Sequence, residues 1–153
     1  MAATKRATPD RHAGDTWLAN CSRRPDVAHD AWSMGALVPI HSTRWLVAEM
    51  QLATALQAVQ RIPPRKVGPL LIDVRLFSGW WLVPLDGDEH LVDVRHVTVL
   101  PRDWPLHCPP TTRAVSSRVW LEAPVGSGRL VDAALLAAAL GPGSPRLPAE
   151  AFG

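Results

Sequence analysis

Several features of specialised protein classes are missing from this sequence. Its 153 residues include no tyrosine, two phenylalanines, two lysines and two cysteines. Cys21 and Cys108 lie far apart without a CxxC partner, so we expect reduced thiols rather than a disulfide framework. No apolar run approaches ~18 residues, which excludes a predicted membrane span. No apolar signal-peptide region follows the first basic residues. We therefore expect a cytoplasmic protein with no membrane contact.

Concentrated positive charge is also missing. The formal net charge is +2, and 14 of the 16 basic residues are arginine. Because arginine, alanine, glycine and proline have GC-rich codons, this skew reflects base composition rather than a nucleic-acid-binding function. A non-specific nucleic-acid binder usually shows a basic block, and none is visible here. The hydrophobic content of 47% instead predicts a globular chain with one core.

The densest apolar stretch predicts a β-hairpin over residues 69–84. Two runs of strand-forming residues, 70–72 and 80–83, flank the sequence Phe-Ser-Gly at residues 77–79. Glycine accepts a positive φ angle in a tight turn, so we place the reversal there. Proline at both ends of the stretch stops the strand pairing, because it has no N–H to donate. This hairpin is the predicted centre of the fold.

Apolar residues at helical spacing predict a helix that runs up to Pro63-Pro64. Ser42 or Thr43 is the expected N-cap, because a hydroxyl accepts a hydrogen bond from the first turn. The apolar face consists of Trp45, Ala48, Leu52, Ala55, Leu56 and Val59.

A second helix is predicted over residues 133–140. Asp132 is the expected N-cap, and Val131 and Leu136 occupy the positions of a hydrophobic staple. Gly141 is expected to end the helix in the left-handed conformation, and the proline after it prevents continuation.

The remaining elements complete an α+β prediction. Residues 36–40 and 118–123 have the pattern of short strands, and residues 90–100 that of one bent strand or two short ones. The fold class is therefore α+β, with a small, mostly antiparallel sheet of four or five strands, one helix before it and one C-terminal helix. Residues 31–141 are predicted to form a single domain between flexible tails at 1–30 and 142–153.

No complete catalytic or metal-binding set is visible in the sequence. The histidines and the aspartate that could suggest zinc, His90, Asp93 and His96, alternate across the faces of a strand, and His107-Cys108 follows at a distance. We expect ordinary surface histidines, no metal and no cofactor. The chain contains no P-loop, GxGxxG or GxSxG motif. This pattern argues against an enzyme without excluding one.

Asp73 is the one carboxylate that could hold a cofactor, because it follows a buried strand directly. The next position on the same face is Arg75 rather than a second acid. An Asp73–Arg75 pair or an aspartate that faces solvent is the structural alternative.

The seven tryptophans divide into core and candidate contact residues. Trp45, Trp81 and Trp120 are expected in the core. Trp80 lies on the opposite strand face from Trp81, so it and Trp104 are either exposed for stacking on a partner or half-buried under a loop.

The hairpin and the stretches that follow it carry a family resemblance. Residues 97–101, 108–110, 119–124 and 130–132 are the stretches concerned. The region from about 36 to 140 resembles a group of short, uncharacterised actinobacterial proteins. More distantly, it resembles the N-terminal region of bifunctional primase-polymerase proteins. In that family a strand with metal-binding acids precedes a Gly-rich hairpin, a Pro-Pro loop and a strand with an aromatic residue.

The resemblance implies a degenerate, non-catalytic relative of the primase-polymerases. The family holds its metals with two acids in an hhhDhD-like pattern. Asp73 matches the first acid, whereas Arg75 stands at the second position. The nucleotide-contacting histidine of the family has no counterpart in residues 78–81.

Three functional hypotheses follow from the sequence. The first is a non-enzymatic accessory or regulatory module that contacts a macromolecular partner, most simply a protein, through Trp80, Trp104, Arg113 and Arg118. The second is a nucleotide- or nucleic-acid-binding, degenerate primase-polymerase-like domain that uses Asp73. The third is nucleic-acid binding through Arg65, Lys66, Arg113 and Arg118, which would weaken steeply with salt. The sequence leaves the oligomeric state open.

Overall fold

Residues 12–141 form helices and two antiparallel sheets, which confirms the α+β prediction. The computed structural model describes residues 12–141. In chain order the elements are α1 (Ala13–Asn20), α2 (Pro25–Ser33), β1 (Val38–His41), β2 (Leu46–Gln51), α3 (Leu52–Arg61), β3 (Leu70–Asp73), β4 (Ser78–Val83), α4 (Asp88–Leu91), β5 (Thr98–Val99), β6 (Pro105–Cys108), β7 (Arg118–Glu122) and α5 (Ala133–Leu140). A short 3-10 turn, Pro64–Lys66, follows α3.

The central sheet has five strands in the order β5–β2–β4–β3–β7. All neighbouring strands in it are antiparallel. Strands β1 and β6 form a separate two-stranded antiparallel sheet. The order places β4, the second strand of the predicted hairpin, in the middle of the central sheet.

Both faces of the central sheet are buried, because alternate strand residues enter two different apolar clusters. On the first face, Trp80 and Leu71 pack with residues of α1, α2, β1 and β6. On the second face, Trp81 and Leu70 pack with residues of α3, α4 and α5. The alternation follows from the two-residue period of side chains along a strand. The protein is therefore a three-layer structure around one sheet.

The predicted hairpin is confirmed, but its turn lies earlier in the chain. Strands β3 and β4 pair with Asp73 opposite Ser78, and residues 74–77 form the turn. Gly79 is inside β4, where a Cβ atom would come within 3.0 Å of the Cβ of Ala55 on α3. The glycine therefore permits close approach of a helix to the sheet and does not form the turn.

The predicted helix from Ser42 is wrong over its first half. Residues 46–51 form strand β2, and the helix begins only at Leu52. Because both faces of β2 are covered, its apolar residues are nearly continuous, and such a run satisfies helical spacing as well as strand spacing. Ser42 accepts a hydrogen bond from the backbone N–H of Arg44, so it stabilises a turn before the strand.

The predicted N-terminal tail over residues 1–30 is wrong for the part that the structure describes. Helices α1 and α2 occupy most of residues 12–33, and they bury Leu18, Ala28 and Trp32 against the first face of the sheet. Each helix is short and buries only a few side chains, so its residues show no sustained apolar periodicity in the sequence. Residues 1–11 and 142–153, which belong to the predicted tails, lie outside the described residues.

The other elements agree with the sequence in part. Strand β7 forms as expected, whereas residues 90–100 contain the end of helix α4 and the short strand β5. Asp132 caps α5 and accepts hydrogen bonds from the N–H groups of Ala134 and Leu135. Gly141 ends that helix with a φ of -74°, not in the left-handed conformation. No helix within residues 12–141 is long and apolar enough to cross a membrane.

Two glycines with similar backbone angles offer a matched test of how closely the layers pack. Gly68 has a φ of +71°, and a Cβ there would lie 2.5 Å from the backbone nitrogen of Val131. Gly35 has a φ of +78°, with no atom within 4 Å of such a Cβ. Gly35→Ala should lower the free energy of unfolding by about 1–2 kcal/mol, the cost of left-handed backbone.

Gly68→Ala should cost more, about 2–5 kcal/mol, because overpacking adds about 1–3 kcal/mol to the same backbone cost. Denaturant unfolding of both variants measures the difference. Equal losses would show that residue 68 has room for a side chain.

Candidate functional site

One end of the first sheet face carries a row of polar side chains. The strand register places Gln51 opposite Ser78, Ser78 opposite Asp73, and Asp73 opposite Arg118. Directly opposed residues of an antiparallel sheet project from the same face. The next row on this face includes Glu49 opposite Trp80. The candidate site is built on these two rows.

A buried ion pair occupies the centre of this polar region. The Arg118 Nε atom donates to Asp73 Oδ2 at 3.0 Å, and the two side chains are only 15% and 5% exposed. Arg118 Nη1 also donates to the backbone carbonyl of His107 on β6 at 2.8 Å. The guanidinium therefore joins β7 to β3 and to the second sheet.

The same aspartate shapes the hairpin turn. Its Oδ1 atom accepts hydrogen bonds from the backbone N–H groups of Arg75 at 2.9 Å and Leu76 at 3.1 Å. Burial by itself would raise the pKa of Asp73, but hydrogen bonds from Ser117, from these two N–H groups and from Arg118 outweigh it and lower the pKa. The carboxylate is therefore ionised and has its partners within the protein.

Trp80 connects the ion pair to Glu49. The Cζ atom of Arg118 lies 4.4 Å from the centre of the Trp80 ring, which is a cation–π contact. The indole N–H of Trp80 donates to Glu49 Oε2 at 2.9 Å. Glu49, Trp80, Arg118 and Asp73 thus form a continuous chain of contacts across four strands. This series of contacts also holds the Trp80 side chain in place within the first apolar cluster.

An open cleft of about 700 Å³ lies beside the polar rows. It is lined by residues 49–53 with Leu56, by residues 76–78, and by His96 with Thr98. The junction of β2 and α3 forms one side, and the hairpin turn forms the other. The backbone N–H of Leu52 donates to the carbonyl of Phe77 at 2.7 Å, which holds the turn against the start of α3.

Large apolar side chains are exposed at this cleft. Phe77 is 70% exposed, Leu76 59% and Val74 52%, all within the hairpin turn, and Leu56 of α3 is 40% exposed. Turns of this kind usually carry polar residues and glycine. We define the apolar lip of the cleft as Leu56, Leu76 and Phe77; Val74, in the same turn, does not line the cleft.

Two residues that line the cleft have unusual backbone conformations. Phe77 has a φ of 53° and His96 a φ of 66°, in the left-handed region that glycine normally occupies. Such a conformation costs a bulky residue of order 1–3 kcal/mol and persists where the surrounding structure imposes it, often at ligand-binding sites. The lip and the opposite side of the cleft are therefore held in defined positions.

The predicted contact residues are not brought together by the structure. Trp80 is 5% exposed, so of the two alternatives the structure has the buried one, although helices and β-strands of the first face cover the side chain rather than a loop. Trp104 is 41% exposed but does not line the cleft. Arg113 donates to the backbone carbonyl of Trp32, and Arg118 is paired with Asp73. The expected Asp73–Arg75 ion pair is replaced by one with Arg118, although Asp73 does contact the backbone of residue 75.

The three tryptophans that were expected in the core are found there. Trp45, Trp81 and Trp120 are buried. Their indole N–H groups donate to the Cys21 sulfur, the Val67 carbonyl and the Pro109 carbonyl. A buried indole needs such a partner, because an unpaired N–H is costly.

The thiols and the histidines do not form a reactive or metal-binding cluster. Cys21 and Cys108 are both free and buried, and burial raises the pKa of each thiol. Thiols of this kind stay protonated and act as packing groups. Within residues 12–141 no three His, Cys, Asp or Glu side chains are grouped so that they could hold a metal ion.

The sequence did not indicate Glu49, Gln51 or His96 as site residues. The first two lie within the predicted helix, whose spacing does not indicate a position on a sheet face. His96 was interpreted as a surface histidine, although its left-handed backbone places it at the cleft. The polar residues Glu49 and Gln51 share one parity of residues 46–51, but Val47 on the same parity is apolar, so the stretch does not alternate clearly.

Comparison of this chain with protein-family models, with curated proteins and with solved structures finds no match. The resemblance to primase-polymerase N-terminal regions stays a hypothesis.

We predict that removing the charge of Arg118 strongly destabilises the protein. Arg118→Met leaves Asp73 buried without its ionic partner, so the free energy of unfolding should fall by about 3–5 kcal/mol. Arg75→Met is the matched control, because that side chain is exposed and its loss should change stability by less than about 0.5 kcal/mol. Urea unfolding measures both variants. Similar small losses would mean that the ion pair contributes nothing to the fold.

The stability contributed by Asp73 should depend on pH. Its folded-state pKa lies below the unfolded value of about 3.9. The contribution is therefore fully present above that unfolded value and is lost as the pH falls through the lower folded pKa. Asp73→Asn should be most destabilising near neutral pH, and the difference from the wild type should shrink in acid. A difference that does not change with pH would contradict this assignment.

Proposed function

We propose that this protein is a non-enzymatic accessory module that binds a protein partner through the cleft beside the β3–β4 turn. The observation that carries the proposal is the apolar lip, in which Leu76 and Phe77 of the hairpin turn expose large apolar side chains at the cleft that Leu56 also lines. Contiguous apolar side chains on the surface of a monomer are typical of interaction sites, whereas single ones are ordinary.

The lip is held in place before any partner binds. The Asp73 carboxylate accepts hydrogen bonds from two N–H groups of the turn, and Leu52 donates to the carbonyl of Phe77. A preformed contact surface loses little conformational entropy on binding, which favours affinity. The buried ion pair therefore supports the proposed function indirectly, through the shape of the turn.

The polar atoms near the cleft also favour binding over catalysis. Asp73 and Arg118 neutralise each other, and one Glu49 oxygen accepts a hydrogen bond from Trp80. The alternative function, nucleotide or nucleic-acid binding by a degenerate primase-polymerase-like domain, would require Asp73 to release Arg118. Nucleic-acid binding through Arg113 and Arg118 would require both side chains to leave their intramolecular partners.

Site-specific photo-crosslinking tests the proposal. A benzophenone-bearing amino acid is placed at residue 77 in the full chain, which is expressed in cells of the natural host. The matched control carries it at Met34, which is 80% exposed and distant in sequence. We expect a discrete protein adduct at residue 77 that is missing at residue 34. The adduct should also disappear when Leu56→Asp is added, because that change places a charge against the apolar lip.

The crosslinked protein must then be purified and titrated against the purified chain. Binding to the wild type should be weakened at least about tenfold by Leu56→Asp, which corresponds to about 1.4 kcal/mol. Thermal melting checks that the variant still folds. If the same adducts form at residues 77 and 34, or if the adduct at residue 77 persists after Leu56→Asp, the cleft is not the binding site.

A further inference from the structure

We infer that a cavity between α3 and α5 binds a phosphate group, either inorganic phosphate or the phosphate of a small monoester. The cavity has a volume of about 220 Å³. We call it the basic cavity and define it by its lining: Thr54, Gln57, Arg61, Arg95, His96 and residues 139–141. Of these residues, His96 alone also lines the cleft of the proposed function. The inference is independent of that function.

The positive charge of the basic cavity is not balanced within its lining. Arg61 comes from α3 and Arg95 from the loop between α4 and β5, and no aspartate or glutamate among residues 12–141 lines the cavity. Asp93 lies two residues before Arg95, but it neither lines the cavity nor pairs with that arginine. Two like charges at one concave surface attract an anion of more than one charge.

The end of α5 explains the position of only one of the two arginines. Carbonyl groups at the C-terminus of a helix attract cations, which is the structural alternative for this cluster. Arg61 Nη1 donates to the carbonyl of Ala139 at 2.9 Å, so this side chain is held across the gap between α3 and α5. The Arg95 guanidinium makes no hydrogen bond or ion pair within residues 12–141. A bound anion would supply the partner that the helix end does not.

Neutral hydrogen-bond donors line the same cavity. Thr54, Gln57 and Arg61 recur at helical spacing, so they lie on one face of α3. The imidazole of His96 can donate an N–H in either tautomer. In the described part of the chain, the side chains of Thr54, Gln57 and His96 make no hydrogen bond to another residue. Charged and neutral donors are therefore available from two different elements.

The donor set and the volume favour a small phosphate compound over a carboxylate or a nucleotide. A carboxylate has two oxygens, which one arginine satisfies in a bidentate pair. A phosphate has more oxygens and up to two negative charges, which match two guanidinium groups with hydroxyl and amide donors. Pockets that enclose drug-sized ligands measure about 300–1,000 Å³. At about 220 Å³ the basic cavity has room for a smaller ligand.

An NMR titration of the ¹⁵N-labelled full chain tests this inference. The probes are inorganic phosphate, glycerol phosphate, acetate and adenosine monophosphate, each at constant ionic strength because salt screens charge. We expect phosphate or glycerol phosphate to shift the signals of residues 54–61, 95–96 and 139–141, and the tighter of the two identifies the source of the phosphate group. Acetate should bind at least about tenfold more weakly, since it meets fewer of the donors.

The variant Arg95→Gln should weaken phosphate binding at least about tenfold, because it removes a charge-assisted contact from the cavity. Arg75→Gln is the matched control, since it makes the same charge change at an exposed residue that does not line the cavity. It should alter the dissociation constant by less than about twofold, because distant surface charges are screened. Thermal melting confirms that both variants fold.

The outcomes that overturn the inference are distinct. If phosphate shifts no signals at the basic cavity, or if acetate binds as tightly as phosphate, the cavity is not a phosphate site. Equal weakening in Arg95→Gln and Arg75→Gln would show a general effect of charge and would reject the site as well. Tighter binding of adenosine monophosphate than of either small phosphate would contradict the size argument. None of these results bears on the cleft, which the crosslinking at residue 77 tests separately.

Discussion

The structure depends above all on the ion pair between Arg118 and Asp73. A charged group buried in a protein must be compensated, because its desolvation costs several kcal/mol. Here one guanidinium meets the Asp73 carboxylate, the carbonyl of His107 and the face of Trp80. These contacts tie the edge strand β7 to β3, to the middle strand β4 and to the second sheet. Helices α1 and α2 and strands β1 and β6 can cover the first face of the central sheet because the charge of Asp73 is compensated in this way.

The buried ion pair and the surface cleft are connected through one carboxylate. One oxygen of Asp73 binds Arg118, while the other accepts hydrogen bonds from the hairpin turn. That turn presents Leu76 and Phe77 to solvent and is attached to the start of α3 through Leu52. The Asp73 carboxylate therefore stabilises the turn that exposes the apolar side chains of Leu76 and Phe77. The proposed binding module needs such a preformed surface, because a few well-packed side chains and preorganisation determine affinity.

Much of the fold could be predicted from local patterns, and the errors have physical causes. The hairpin over residues 69–84 and the Asp132-capped helix were predicted because their signals lie within a few residues. Strand β2 was assigned to a helix because, with both faces covered, its residues 46–51 form a nearly continuous apolar run. Helices α1 and α2 were missed because each buries only a few side chains, such as Leu18 and Trp32. For the candidate site, the sequence indicates Asp73 but does not indicate that Arg118 pairs with it.

By itself the sequence determined the fold class, the central hairpin and the Asp132 N-cap of the last helix. Caps and turns form between residues a few positions apart, so a short stretch of sequence is enough to predict them. Tertiary structure alone decided that Arg118 rather than Arg75 pairs with Asp73, that Trp80 is buried, and that His96 lines a cleft with Phe77. Those outcomes depend on strand register and on which layer covers each face. Both are set by contacts between residues far apart in sequence, which local patterns do not encode.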